Sequence, residues 1–200
     1  MRTKTILAAF ILATLTPALA SKDYRDVRYR NVFGQTDWYT CGPAALATLF
    51  TFYYAKPVSE AAITRLSVQD MASRGKDPRA GVTLLALRNA GRARGIDATG
   101  YRLDFGQLEA VLKSGLPVLV NTVQPQAHFS VALAVVGDTV LLADPSWGLK
   151  AQPRRWFLDA WNGVTLIPSP DATQAARARA EVRKVVAAYH ERVDRLRSGM

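Results

Sequence analysis

Apolar and polar positions change period several times along this chain, and each change marks an expected element. Residues 27–33 alternate with a period of two and predict a short strand. From Cys41 to about Ala55 the apolar positions return at helical steps, and Pro43 is tolerated because it falls in a first turn. Pro57 ends that helix. Ser59 followed by Glu60 predicts the start of a second helix through Ile63 and Leu66. A third is expected over 82–93 with Leu84, Leu85 and Leu87 inward. Residues 96–103 read as a strand, and Asp104 with Gln107 forms a capping-box pair for a helix through Leu108, Val111 and Leu112, ended by Gly115. Strands are expected over 118–123, 129–136 and 140–143, the last two joined at Gly137-Asp138, a strong hairpin signal. A helical turn over 156–161 and a strand over 164–167 complete the set. Helices first and an antiparallel sheet afterwards make an α+β fold.

The two ends read differently from the middle. Arg2 and Lys4, an apolar stretch over 5–15 and Ala18-Leu19-Ala20 predict a secretory signal peptide cut after Ala20. That stretch is shorter than the ~20 residues of a membrane span, so a retained anchor is the lesser alternative. Pro168 and Pro170 mark a boundary, beyond which residues 171–197 predict one basic amphipathic helix. Its apolar seam is Ala178, Val182, Val185, Tyr189, Val193 and Leu196. Such a seam docks on its own domain, on a partner helix or on a membrane surface. The expected organisation is therefore a signal peptide over 1–20, one domain over 21–168 and a helical tail over 169–200.

A length of 200 residues, 49% of them apolar, suits one domain with a substantial core. The formal charge is +10, and +8 once Arg2 and Lys4 are removed. That balance suits an acidic protein or peptide partner, or an anionic envelope surface. No nucleic-acid motif accompanies it, so nucleic acid is not an expected partner. The address expected from the signal peptide is the periplasm or cell envelope.

Cys41 is the one cysteine. It can close no internal disulfide, and with two distant histidines it offers no metal cluster, so neither metal nor cofactor is expected. A lone cysteine is often a small buried hydrophobe. Against that, a free thiol in an oxidising compartment is open to oxidation, and this one opens a helix, where a thiolate is favoured. Of the two histidines, His190 lies among Tyr189, Glu191 and Arg192 on a solvated helix face. His128 opens a strand after the loop 124–127, where it is held by the sheet and still reaches a cleft. Asp144, at the end of the neighbouring strand, is placed to orient it. The side-chain amide of Gln35 and the N–H of Cys41 can serve as oxyanion donors.

Geometry sets a condition on this group. A strict two-residue loop pairs Val136 with Thr139 and carries Asp144 opposite Val131, on the other sheet face from His128. The two side chains meet only if the connection has odd length or the hairpin contains a β-bulge.

Gln35, the run Cys41-Gly42-Pro43-Ala44-Ala45, His128 at a strand start and Asp144-Pro145 together resemble the bacteriocin-processing cysteine peptidases. Those are papain-like domains that cut leader peptides after a double glycine. Ser146-Trp147-Gly148 is similar to papain-type enzymes generally, and the likeness runs over 27–167, through the ending 157–164. It implies a papain-like fold with Cys41 as nucleophile, His128 as general base and acid, Asp144 as its orienter and Gln35 as oxyanion donor. Such processing domains sit at the cytosolic end of an ABC transporter, whereas the signal peptide here points outside the cytosol. The leading expectation is thus an exported cysteine peptidase acting on a secreted or envelope protein. A cell-wall peptide amidase or transpeptidase with the same triad, and a non-catalytic binding or assembly protein on a peptidase scaffold, are the alternatives.

Overall fold

The structure, a computed structural model, describes residues 24–199; the expected signal peptide lies outside them. Among the described residues there are seven α-helices: α1 (Tyr24–Arg28), α2 (Cys41–Thr48), α3 (Glu60–Ala72), α4 (Leu84–Arg92), α5 (Phe105–Lys113), α6 (Arg154–Ala160) and α7 (Ala172–Arg197). Six strands, β1 (Ala98–Arg102), β2 (Val118–Thr122), β3 (His128–Val136), β4 (Thr139–Asp144), β5 (Gly148–Pro153) and β6 (Trp161–Pro168), form one sheet in the order β1-β6-β2-β3-β4-β5. Every neighbouring pair is antiparallel. The architecture is α+β, as the chain's patterning implied, and papain-like, as the resemblance implied.

Local chemistry accounts for most element starts. The hydroxyls of Ser59 and Thr83 accept from the N–H groups of Ala62 and Ala86, capping α3 and α4. Asp104 with Gln107, and Asp171 with Gln174, close reciprocal capping boxes at α5 and α7. The helix that opens at Cys41 does not run evenly to Ala55: it is α-helical to Thr48 and closes with a π-helical turn, Leu49–Tyr53.

The core lies on both faces of the sheet. On one face α2, α3, α4 and the first half of α7 pack over Phe129, Val131, Leu133, Leu141 and Ala143. On the other, Leu108 and Leu112 of α5 and Phe157 of α6 cover Val118, Val120, Ala132, Val140 and Leu142. Each fully buried leucine or phenylalanine here contributes about 1.5–3 kcal/mol. Helix α2 is buried along its whole length, which requires small residues. A Cβ at Gly42 would stand 2.9 Å from Leu87 Cδ1 and 3.1 Å from Phe129 Cδ2.

Several expectations are corrected. Residues 27–33 do not form a strand: they begin in α1 and continue as a turn and irregular chain. The segment crosses the end of the sheet instead of pairing with it, since Arg28 Nε donates to the Trp147 carbonyl at 2.7 Å and the Tyr29 hydroxyl to that of Ser146 at 2.7 Å. Strand β5 was not expected; it pairs along the whole of β4. Leu85 faces outward, 42% exposed, because α4 turns Ala86, Leu87 and Ala90 to the core. The seam of α7 is buried at Ala178 and Val182, but Leu196 is 74% exposed where the helix outruns the domain.

The β3–β4 hairpin meets the condition set by the sequence. Its turn pairs Val136 with Thr139, so the loop has two residues. The ladder then shifts: Ala134 pairs with Leu141 and Ala132 with Leu142, leaving Leu133 as the surplus residue of a bulge. Leu133 and Ala134 are consecutive yet both join the core under α2. The alternation is thereby reset, and Asp144 comes to the same face as His128.

Candidate active site

Helix α2 and the mouth of the sheet bring Cys41 and His128 together, although the two are far apart in the chain. Cys41 is the first residue of α2 and is buried. Thr40, just before it, makes no side-chain cap. Its hydroxyl accepts from the N–H groups of Thr36 and Asp37 and donates to the Asp37 carbonyl at 3.1 Å, fixing the approach loop instead. The first-turn N–H groups are therefore left to the sulfur, and Gly42 N–H is one that reaches it. Burial opposes the thiolate. Hydrogen bonds from the His128 ring and the Phe129 N–H, the charge of His128 and the Gly42 N–H outweigh it and hold Cys41 below an ordinary thiol.

His128 opens β3, and its backbone carbonyl accepts from the Asn121 side chain at 3.2 Å. Asn121 is held in turn by Asn162, 2.9 Å away. The ring Nε2 lies 2.9 Å from Asp144 Oδ1, which leaves Nδ1 for the sulfur. Burial disfavours the imidazolium, but the hydrogen bonds and charges of Asp144 and Cys41 prevail and push His128 up to about 9. Asp144 is almost wholly buried. Burial raises its carboxyl, yet His128, the Ser146 N–H and Lys150 together hold it below the usual range. The three groups thus form a continuous chain of charge-assisted hydrogen bonds.

Gln35 joins the same site from the approach loop. Its Nε2 donates to the Asp37 carbonyl at 2.9 Å, leaving one amide hydrogen, and its Oε1 accepts from the Ser146 hydroxyl at 2.7 Å. Its backbone N–H donates to the Pro145 carbonyl at 3.1 Å. Glu60, buried at the start of α3, accepts from both the N–H and the hydroxyl of Thr36 at 3.0 Å and anchors this loop. All four residues singled out in the sequence therefore belong to one constellation, while His190 lies apart on α7.

Two members went unrecognised. Ser146 gives its N–H to Asp144 Oδ1 at 2.8 Å and its hydroxyl to Gln35, joining the carboxylate to the amide. Lys150 Nζ stands 3.7 Å from Asp144 Oδ2. Only recognition of β5 would have revealed it, because Lys150 pairs with Leu142 in register and so sits diagonally from Asp144. Among the described residues no cluster of His, Cys, Asp and Glu is arranged to hold a metal ion.

Comparison with known proteins gives this geometry a family. The chain is 31% identical over 144 residues to the "Probable functional amyloid protease FapD" of Pseudomonas aeruginosa, a match covering 70% of this chain and 61% of that protein. Among solved structures, the peptidase domain of Streptococcus ComA, a bifunctional ABC transporter, superposes with a TM-score of 0.60 at 22% identity, over 70% of this chain and 98% of that one. A double-glycine motif protease from an AMS/PCAT transporter, in complex with its leader peptide, gives a TM-score of 0.56 at 28% identity, over 70% and 90%. Residues 30–173 match the Peptidase C39 family. This stretch contains Gln35, Cys41, His128 and Asp144, and the chain belongs to that family.

Proposed function

We propose that this protein is an exported peptidase that cleaves a peptide bond in a secreted or envelope protein. The observation that carries the reading is the chain from Asp144 through His128 to Cys41, which leaves a buried thiol with its pKa lowered despite its burial. The thiolate attacks the scissile carbonyl, and the charge that develops on its oxygen is received by the Cys41 N–H and the remaining amide hydrogen of Gln35. His128 gives its Nδ1 proton to the departing amine as the C–N bond breaks, leaving a thioester on Cys41. Water, deprotonated by His128, then attacks the thioester. The acid is released and the thiol–imidazole pair restored.

The likeness to a probable functional amyloid protease makes exported, self-assembling proteins the first substrates to test. The test is trapping in the native envelope with Cys41→Ala, with the ends of captured proteins determined before and after adding the wild type. A captured protein cut by the wild type at one bond is expected. Full cleavage by Cys41→Ala would refute the mechanism. An iodoacetamide reaction no faster than that of a free thiol, with a pKa near 8.5, would favour a binding protein on a peptidase scaffold.

A further inference from the structure

Beside the paired His128 and Asp144 the sheet face opens into a cavity of about 480 Å³, within the roughly 300–1,000 Å³ of small-ligand pockets. Its floor includes Ser130 and Leu142, and its walls rise at Trp147, just beyond β4, and Trp156 on α6. These tryptophans are 58% and 55% exposed. Large rings left half in water form an aromatic wall that gains energy by covering. Arg28 stacks 5.2 Å from the centre of the Trp147 ring and holds the loop from Asp144 to Gly148 against α1. A side chain at Gly148 would collide with the Arg28 carbonyl.

The identity of the lining decides what enters. His128 lines the cavity, whereas Cys41 and Gln35 do not. The nucleophile and the oxyanion donor belong to the acyl portion of a substrate, and the proton donor belongs to the departing amine. From this we infer that the cavity receives the chain on the amine side of the scissile bond, and that Trp147 and Trp156 select an aromatic side chain at one of the first two positions after the cut. The inference rests on the peptidase reading, since it uses His128 as the donor to the leaving group.

The test uses two peptides that share the acyl half of a trapped substrate and carry either phenylalanine or glycine at those two positions. The wild type is expected to favour phenylalanine by about tenfold or more in kcat/KM, from aromatic contact and burial. Trp156→Ala is expected to bring that ratio near one, and Trp156→Phe to restore much of it. An equal fall on both peptides, or a ratio unmoved by Trp156→Ala, overturns the proposal. A second readout needs no turnover: the Phe-containing leaving fragment is titrated into full-length Cys41→Ala protein while the indole N–H signals are followed by NMR. Shifts at Trp147 and Trp156, with Trp38 and Trp161 still, support the cavity even if the wild type cleaves neither peptide, an outcome that would sink the peptidase reading alone. Still indoles at all four positions reject the cavity whatever the turnover.

Discussion

The two sides of the site are built by opposite means. On the helical side, Cys41 is placed by close packing: α2 is buried along its length, and Gly42 leaves no room between Leu87 and Phe129. On the sheet side, His128 and Asp144 are placed by charge and hydrogen bonds, with Asn121, Ser146 and Lys150 holding them. The first arrangement fails when volume changes, the second when charge changes. A site divided in this way can have its geometry and its protonation disturbed separately.

The largest effect should come from removing His128, the proposed base. His128→Ala is expected to lower kcat/KM by at least about 1,000-fold and to slow alkylation of Cys41, because the thiol loses the partner that holds its pKa down. Asp144→Asn keeps the shape but loses the charge. It should cost on the order of 100-fold in kcat, and the alkaline limit of the pH–rate profile, near 9 in the wild type, should move down. On the helical side, Gly42→Ala should destabilise the fold by about 1–3 kcal/mol through overpacking, with a smaller loss of rate and no movement of that limit. Lys150→Met should change the rate least. It frees Asp144 to act on His128 alone, so the alkaline limit should move up, and Lys150→Arg should bring it back. A Gly42 variant that moved the pH limit, or a Lys150 variant that did not, would break the division between packing and charge.

Stability should carry the same signature. His128 binds its proton more tightly folded than unfolded, so its contribution is fully present below about pH 6.5 and is lost as pH rises through about 9. The carboxyl of Asp144 is held low, so its contribution is present above about pH 3.9 and fades as the pH falls. Thermal melts of wild type and His128→Ala across pH 6 to 10 check the first. The variant should lack the alkaline decline.

Much of this was legible in the chain because it is local. Ser59 and Asp104 announce helices by chemistry acting over three residues, and both caps are found. The pairing of His128 with Asp144 was legible as a condition, since a two-residue turn fixes the parity and only a bulge satisfies it. What escaped depends on tertiary neighbours. Strand β5 carries Lys150, Gln152 and Pro153, with little alternation to mark it, and it exists because β4 offers an edge. Residues 27–33 alternate, yet their polar groups are taken by the loop at Ser146 and Trp147 before any strand can form. Leu196 continues a seam whose partner surface has already ended.

The bulge at Leu133, and not the length of the hairpin alone, decides whether His128 and Asp144 meet. With this number of residues between His128 and Asp144, the two share a face only while the bulge persists. Loss of the single codon for Leu133 would let the ladder run without interruption. His128 and Asp144 would still share a face, since Ala132 would keep its pairing with Leu142 and Val131 its pairing with Ala143. Among descendants of such a gene, this hairpin should tolerate loss of the surplus residue and resist substitutions that flatten the bulge at unchanged length.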